Sequence, residues 1–134
     1  MKWMLDTNIC IALIKQQPSR LLRRLNEHAV GDVGISSITL AELEFGVAKS
    51  IQQEKNRIAL EEFVIPLEVA PFDAAAAQRY GLVRASLEQR GKPIGSLDTL
   101  IASHALSLSV TLVTNNTKEF RRVTGLKLED WLKE

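Results

Sequence analysis

Four carboxylates lie beside short apolar runs although they are far apart along the chain: Asp6, Glu42, Asp98 and Glu119. Asp6 follows Trp3-Met4-Leu5, and Glu42 lies in a helical stretch after the run Val33 to Ile35. Asp98 opens the stretch ahead of Val110 to Val113, and Glu119 comes a short turn after that run. In an open parallel sheet, ligands bind beyond the carboxyl ends of the strands, so acids at these positions can converge. Carboxylates gathered in one cleft repel by several kcal/mol at intermediate dielectric, and they persist there when a cation neutralises them. Oxygen-only donors select Mg²⁺ or Mn²⁺. Mg²⁺ keeps several waters while binding one or two carboxylates plus a substrate phosphate, so a partly open acidic site suits phosphodiester chemistry better than a closed structural role. Thr7, Asn8, Ser96, Thr114 and Asn116 are near enough in sequence to orient carboxylates or metal waters.

Each acid also has a local explanation. Asp6 with Thr7 reads as a helix N-cap, worth about 1 kcal/mol. Thr39-Leu40-Ala41-Glu42 matches a capping box, in which the glutamate bonds back to the cap's amide. Asp98 falls at the start of a helix capped by Ser96, where the macrodipole favours a negative charge by about 0.3 to 1 kcal/mol. Glu119, between Lys118 and Arg121, needs no role beyond solvation. Only the joint placement of the four favours a metal site. The histidines add nothing to it: His104 lies six positions after Asp98, turned well away on a helix, and His28 reads as a surface residue near a helix end.

The elements that must position these residues alternate as βαβ units do, which implies a mainly parallel sheet covered by helices. Lys2 to Leu5 reads as a first strand, followed by a helix through Lys15 and a second helix opened by Pro18-Ser19. Val33 to Ile35 reads as a strand, and Ser36, Ser37 and Thr39 offer caps for a helix through Val47. A helix over about 54–64, a strand from Leu67 to Ala70 and an alanine-rich helix capped by Asp73 follow. Gly91 to Ser96 is a loop, Leu97 to Leu108 a helix, Val110 to Val113 a buried strand, and Leu126 to Leu128 a last short strand. Trp131 is expected to pack the tail back onto the domain.

With 134 residues and 46% hydrophobic content, the chain is read as one domain over residues 1–134 with a real core. The 17 Lys and Arg nearly balance the 16 Asp and Glu, so affinity for phosphates must come from local clusters. Two runs offer them: Arg20, Arg23 and Arg24, and Lys118, Arg121 and Arg122. Cys10 is the single cysteine, in an apolar run, and reads as a buried structural thiol in a reducing cytoplasm. An acid at position 6 leaves no room for a signal peptide, and no apolar stretch is long enough to span a bilayer.

Four motifs carry a resemblance: Met4-Leu5-Asp6-Thr7-Asn8; Leu40-Ala41-Glu42-Leu43 with Gly46; Ile94-Gly95-Ser96-Leu97-Asp98-Thr99; and Leu112-Val113-Thr114-Asn115-Asn116-Thr117-Lys118-Glu119-Phe120. In this order and at these separations they resemble PIN-domain ribonucleases, in particular the VapC toxins of type II toxin-antitoxin systems, from Lys2 to the region of Trp131. The resemblance implies a three-layer αβα fold and a homodimer. It implies Mg²⁺, with Mn²⁺ as a substitute, held by Asp6, Glu42 and Asp98, with Glu119 as a fourth acid where the family often has aspartate. Thr7 and Asn116 match supporting polar positions. It further implies a VapB antitoxin through which any DNA contact is made, and hydrolysis of RNA to a 5′-phosphate and a 3′-hydroxyl, with tRNA in its anticodon stem-loop, initiator tRNA above all, as substrate. The apolar segments Ile9 to Ile14 and Leu21 to Leu25 then become a floor for an antitoxin helix.

Two other classes compete. A phosphatase wants a second aspartate two residues after the first, where this chain has Asn8; a receiver wants paired acids at the first strand and a late lysine, for which Lys118 is a poor candidate. A catalytically silent interaction module would have little reason to keep all four acids.

Overall fold

Met4 and Leu5 are neighbours, both fully buried, yet they belong to two different apolar cores. Successive side chains on a strand point to opposite faces, so a strand buried on both sides must lie between two layers of helix. Leu112 and Val113 repeat the division.

The computed structural model describes residues 1–133 and has the order β1 (Trp3–Leu5), α1 (Thr7–Ile14), α2 (Ser19–Asn26), β2 (Val33–Ser36), α3 (Ser37–Lys49), α4 (Gln53–Val64), β3 (Glu68–Ala70), α5 (Ala74–Gln89), α6 (Ser96–Leu108), β4 (Thr111–Val113), α7 (Thr117–Phe120) and β5 (Leu128–Glu129). The five strands lie in the order β3-β2-β1-β4-β5, with every neighbouring pair parallel. One core joins Leu5 and Val113 to Ile9 and Leu13 of α1, Leu43 and Val47 of α3 and Leu60 of α4; the other joins Met4 and Leu112 to Val83 and Leu87 of α5 and Ile101 and Ala105 of α6. This is the expected three-layer αβα arrangement.

The chain leaves β1 towards β2 and β3, then returns to the other side of β1 to lay down β4 and β5. The reversal leaves a crevice beyond the carboxyl ends of β1 and β4, where the Asp6 amide donates to the Val113 carbonyl at 3.0 Å. On the other side, Gly34 is a steric necessity: a Cβ there would come within 2.4 Å of the Glu68 carbonyl on β3.

Several boundaries differ from those expected. Ser36, not Thr39, caps α3 through the Ile38 amide at 3.0 Å, so Glu42 sits in the second turn and the capping-box explanation for it fails. Ser96 is the first residue of α6, whose N-cap is Gly95 with no side-chain cap bond. The last strand falls at Leu128–Glu129, beyond the expected 126–128, and α7 forms where a plain turn was expected. His28 follows the end of α2 as expected but is half-buried, its ring lying 4.0 Å from Trp3 and 5.0 Å from Trp131, centroid to centroid. Its neighbours Asn26 and Glu27 are polar, so only the distant indoles, from β1 and from the tail, bury it. Trp131 is fully buried, as expected of the tail, and Cys10 is buried too, which pushes its thiol well above the usual range. Among the described residues no helix is long and apolar enough to cross a membrane.

Candidate active site

Asp6 ends β1 and caps α1. One carboxylate oxygen accepts from the Ile9 amide at 2.9 Å, and the side chain is buried, with 4% of the residue exposed. Burial raises its pKa above the usual value; bonds from Thr114 and Ile9 oppose the rise, and the charges of Glu42 and Asp130 add to it. The cap explanation therefore holds for Asp6, but it does not exhaust the residue, because a cap carboxylate has no need of neighbouring acids.

Glu42 reaches the same crevice from α3. Thr7, at the start of α1, donates its hydroxyl to Glu42 Oε1 at 2.6 Å and lies 3.4 Å from the Thr39 hydroxyl. A threonine has one proton to give, and the shorter contact takes it.

Asp98 and Glu119 come from the other side of the switch point. Asp98 sits in the first turn of α6, where burial raises its pKa, followed by the charges of Glu119, Asp6 and Glu42 and a hydrogen bond shared with Glu119; together they push it up to about 6. Glu119, on α7, is held by the Gly95 amide at 3.0 Å and the Asn116 side-chain amide at 2.8 Å. Those two bonds, the bond with Asp98 and the nearby Arg122 charge keep its carboxylate below its ordinary pKa. Asn116 is fixed in turn, its backbone amide donating to the buried Thr114 hydroxyl at 3.0 Å.

The four acids thus meet electrostatically: Asp98 senses all three others. They do not stand as a finished ligand cage, since among the described residues no three His, Cys, Asp or Glu side chains form a ready metal-binding group. Three of the carboxylates are instead turned onto donors of this chain: Asp6 onto Ile9, Glu42 onto Thr7, and Glu119 onto Gly95 and Asn116. The donor set nonetheless fits a hard divalent cation. It is all oxygen, the charges of its neighbours add to the raised proton affinity of Asp6 and Asp98, and the Gly95 position leaves room that a Cβ would fill, 3.4 Å from Asp98 Oδ2 and 3.9 Å from Glu119 Oε1.

Of the expected supporting residues, Thr7, Thr114 and Asn116 are in place. Asn8 is exposed on α1, and Ser96 faces a separate hollow with Tyr80 and Arg84. Sequence reasoning missed Gly95, read only as loop, whose amide anchors Glu119. It also missed Asp130, which follows β5 just as Asp6 follows β1 and is close enough to raise Asp6. The Asp-after-strand rule would have found Asp130 had β5 been placed correctly.

The expected apolar floor also shifts. Ile9, Cys10, Leu13 and Leu21 are buried in the core, while an open hollow of about 380 Å³ runs between α1, α3 and α4, lined by Ile11, Ile14, Leu43 and Leu60 and reaching Glu42. In the basic run of α2, Arg20 donates to the Leu132 carbonyl, and Arg24 lies 3.7 Å from Glu129 and 5.6 Å over the Trp131 ring. Both brace the tail.

The PIN domain family model matches residues 3–126, a span holding all four acids. The chain is 48% identical over 131 residues to the tRNA(fMet)-specific endonuclease VapC of Shigella flexneri, covering 98% of each. It is 47% identical over 132 residues to ribonuclease VapC2 of Rickettsia felis, again covering 98% of each. The chain belongs to the VapC ribonucleases of the PIN-domain family. A solved structure of DNA-bound VapBC from Salmonella typhimurium superposes with a TM-score of 0.93 at 44% identity, covering 98% of both chains. The VapC assignment bears out the resemblance drawn from the four motifs and makes the phosphoacceptor class untenable.

Proposed function

We propose that this VapC ribonuclease is the toxin of a toxin-antitoxin pair, a Mg²⁺-dependent endoribonuclease that cuts tRNA in the anticodon stem-loop, initiator tRNA first among its targets, and so arrests translation. The observation that carries this reading is the meeting of Asp6, Glu42, Asp98 and Glu119 at the switch point between β1 and β4, with Asp98 pushed up to about 6 by burial and by the charges of the other three. The names of the Shigella and Rickettsia relatives support the substrate class, and the Salmonella complex supports the partner.

Asp6 and Asp98 would hold the cation, with Glu42 and Glu119 completing the set after turning from their present donors. A divalent cation bound there supplies activation of water and neutralisation of charge developing at a phosphodiester. The chain's own residues do the rest. Thr7 holds Glu42, and Gly95 and Asn116 hold Glu119 and favour its ionised form, until a cation draws them over, while the Ile9 amide fixes the Asp6 carboxylate in advance. The hollow between α1, α3 and α4 would receive an amphipathic helix of the VapB antitoxin, which would place it against Glu42. We further propose a homodimer that meets DNA only through that antitoxin, in the cytoplasm.

Purified protein incubated with total tRNA should yield a discrete fragment in Mg²⁺ and none in EDTA, and Asp98→Asn should cut at least a hundredfold more slowly. Sequencing should place the new ends in the anticodon stem-loop of initiator tRNA. Equal cutting by Asp98→Asn, or cutting in EDTA, would refute the metal site; a different RNA would refute only the choice of substrate.

A further inference from the structure

A second surface adjoins the acids, and its charge is opposite. The loop from Arg90 to Gly95 and the helix α7 enclose a cleft of about 400 Å³ lined by Gly91, Lys92, Pro93, Lys118 and Arg122, with no acidic side chain in its lining. The same pieces hold Glu119: the Gly95 amide is its donor, and Lys118 precedes it on α7. The cleft is braced. Arg122 donates to the Pro93 carbonyl at 3.0 Å, and Arg90 donates to the Arg122 carbonyl at 2.6 Å, which ties the loop to the segment just after α7.

Arg90 and Arg122 are thus engaged on backbone carbonyls. Lys92 and Lys118 are exposed, and among the described residues their ammonium groups make no hydrogen bond or ion pair. Two ammonium groups beside one open hollow, with no partner among the described residues, offer a pair of contacts to an anionic occupant. The acidic site alongside calls for a cation and a phosphodiester, whereas the lysines call for further phosphates of the same strand. An acidic protein segment would satisfy the lysines but would be repelled by four carboxylates next to them; an RNA strand carrying its charge along its whole length, with the cation beneath one phosphate, satisfies both.

We infer that the cleft between residues 90–95 and α7 seats RNA backbone phosphates flanking the bond cut at the acids, with Lys92 and Lys118 as the contacting groups. The inference rests on the nuclease reading above, and it assigns RNA contact to this run and not to α2, whose Arg20 and Arg24 secure the tail.

The test is equilibrium binding of fluorescently labelled tRNA to Asp98→Asn protein in Mg²⁺, which separates binding from cleavage, at salt concentrations from about 50 to 200 mM. Adding Lys92→Gln and Lys118→Gln together should weaken binding severalfold and flatten the slope of log affinity against log salt by about 1.5, as expected for two lost phosphate contacts. Arg23→Gln, an exposed charge on α2, should change neither quantity. Because both lysines are exposed, the double variant should keep its melting temperature and its stabilisation by Mn²⁺. Unchanged affinity and slope in the double variant, or an equal loss in Arg23→Gln, would overturn the inference while leaving the nuclease reading intact; tRNA cleavage without metal would overturn that reading and leave this one standing.

Discussion

Asp98 shows most clearly what the site costs the protein. An acid held at about 6, against an ordinary 3.8, binds its proton more tightly in the folded state than in the unfolded one. Between roughly pH 4 and 6 the folded chain therefore carries the extra proton, and stability falls as pH rises through that window. Asp6 is shifted the same way, by burial first. Two outcomes are expected. In EDTA at pH 7.5, Asp98→Asn should melt about 2 to 5 °C above the parent although it destroys activity, because it removes one of four crowded charges. Stabilisation by Mn²⁺ should be small at pH 5 and grow towards pH 7, as the cation displaces the proton. Melting curves of parent and variant across this range are the check, and a variant less stable than the parent at pH 7.5 would contradict the electrostatic account. All four acids could be read from the sequence because each stands beside an apolar run. Their present partners could not: Gly95 holds Glu119 through a backbone amide, which no residue type announces.

Among the elements, α3 matters most, because it carries Glu42 and depends on a buried pair at its start. Ser36 is fully buried; its hydroxyl accepts from the Ile38 amide and lies 2.7 Å from Nδ1 of His104 on α6. Burial lowers the His104 pKa, and its ring shares a hydrogen bond with the Ser36 hydroxyl while that hydroxyl caps the helix. Ser36→Ala removes the cap and strands a buried ring nitrogen, and should cost about 1 to 3 kcal/mol in urea unfolding. It should also weaken Mn²⁺ binding by loosening α3 at the site end. Ser50→Ala, which loses the hydroxyl bond to the Val47 carbonyl at the far end of α3, should lower stability without moving Mn²⁺ affinity. Equal effects of the two on Mn²⁺ would show that the start of α3 has no special part. The long helices α4, α5 and α6 were legible to within a residue or two. The errors fell where several caps compete, as along Ser36, Ser37 and Thr39, and where strands are too short to show a period, as at β5.

In the whole molecule, one topological fact does the assembling. The sheet order β3-β2-β1-β4-β5 reverses at β1, so acids more than a hundred residues apart in the chain come to one edge, two from each side of the reversal. The tail then closes that edge: β5 pairs with β4, Glu129 accepts from the indoles of Trp3 and Trp131 at 3.1 and 3.0 Å, and Asp130 falls near Asp6. The fold class followed from alternating strand and helix patterns, but the reversal did not, because strand order is decided by packing between distant segments. The most direct measurement of the whole account is anomalous scattering from crystals soaked in Mn²⁺. A Mn²⁺ peak bounded by the carboxylates of Asp6 and Asp98, with Glu42 or Glu119 swung towards it, is the predicted result. A crystal that takes up Mn²⁺ elsewhere and leaves this edge empty at neutral pH would contradict it.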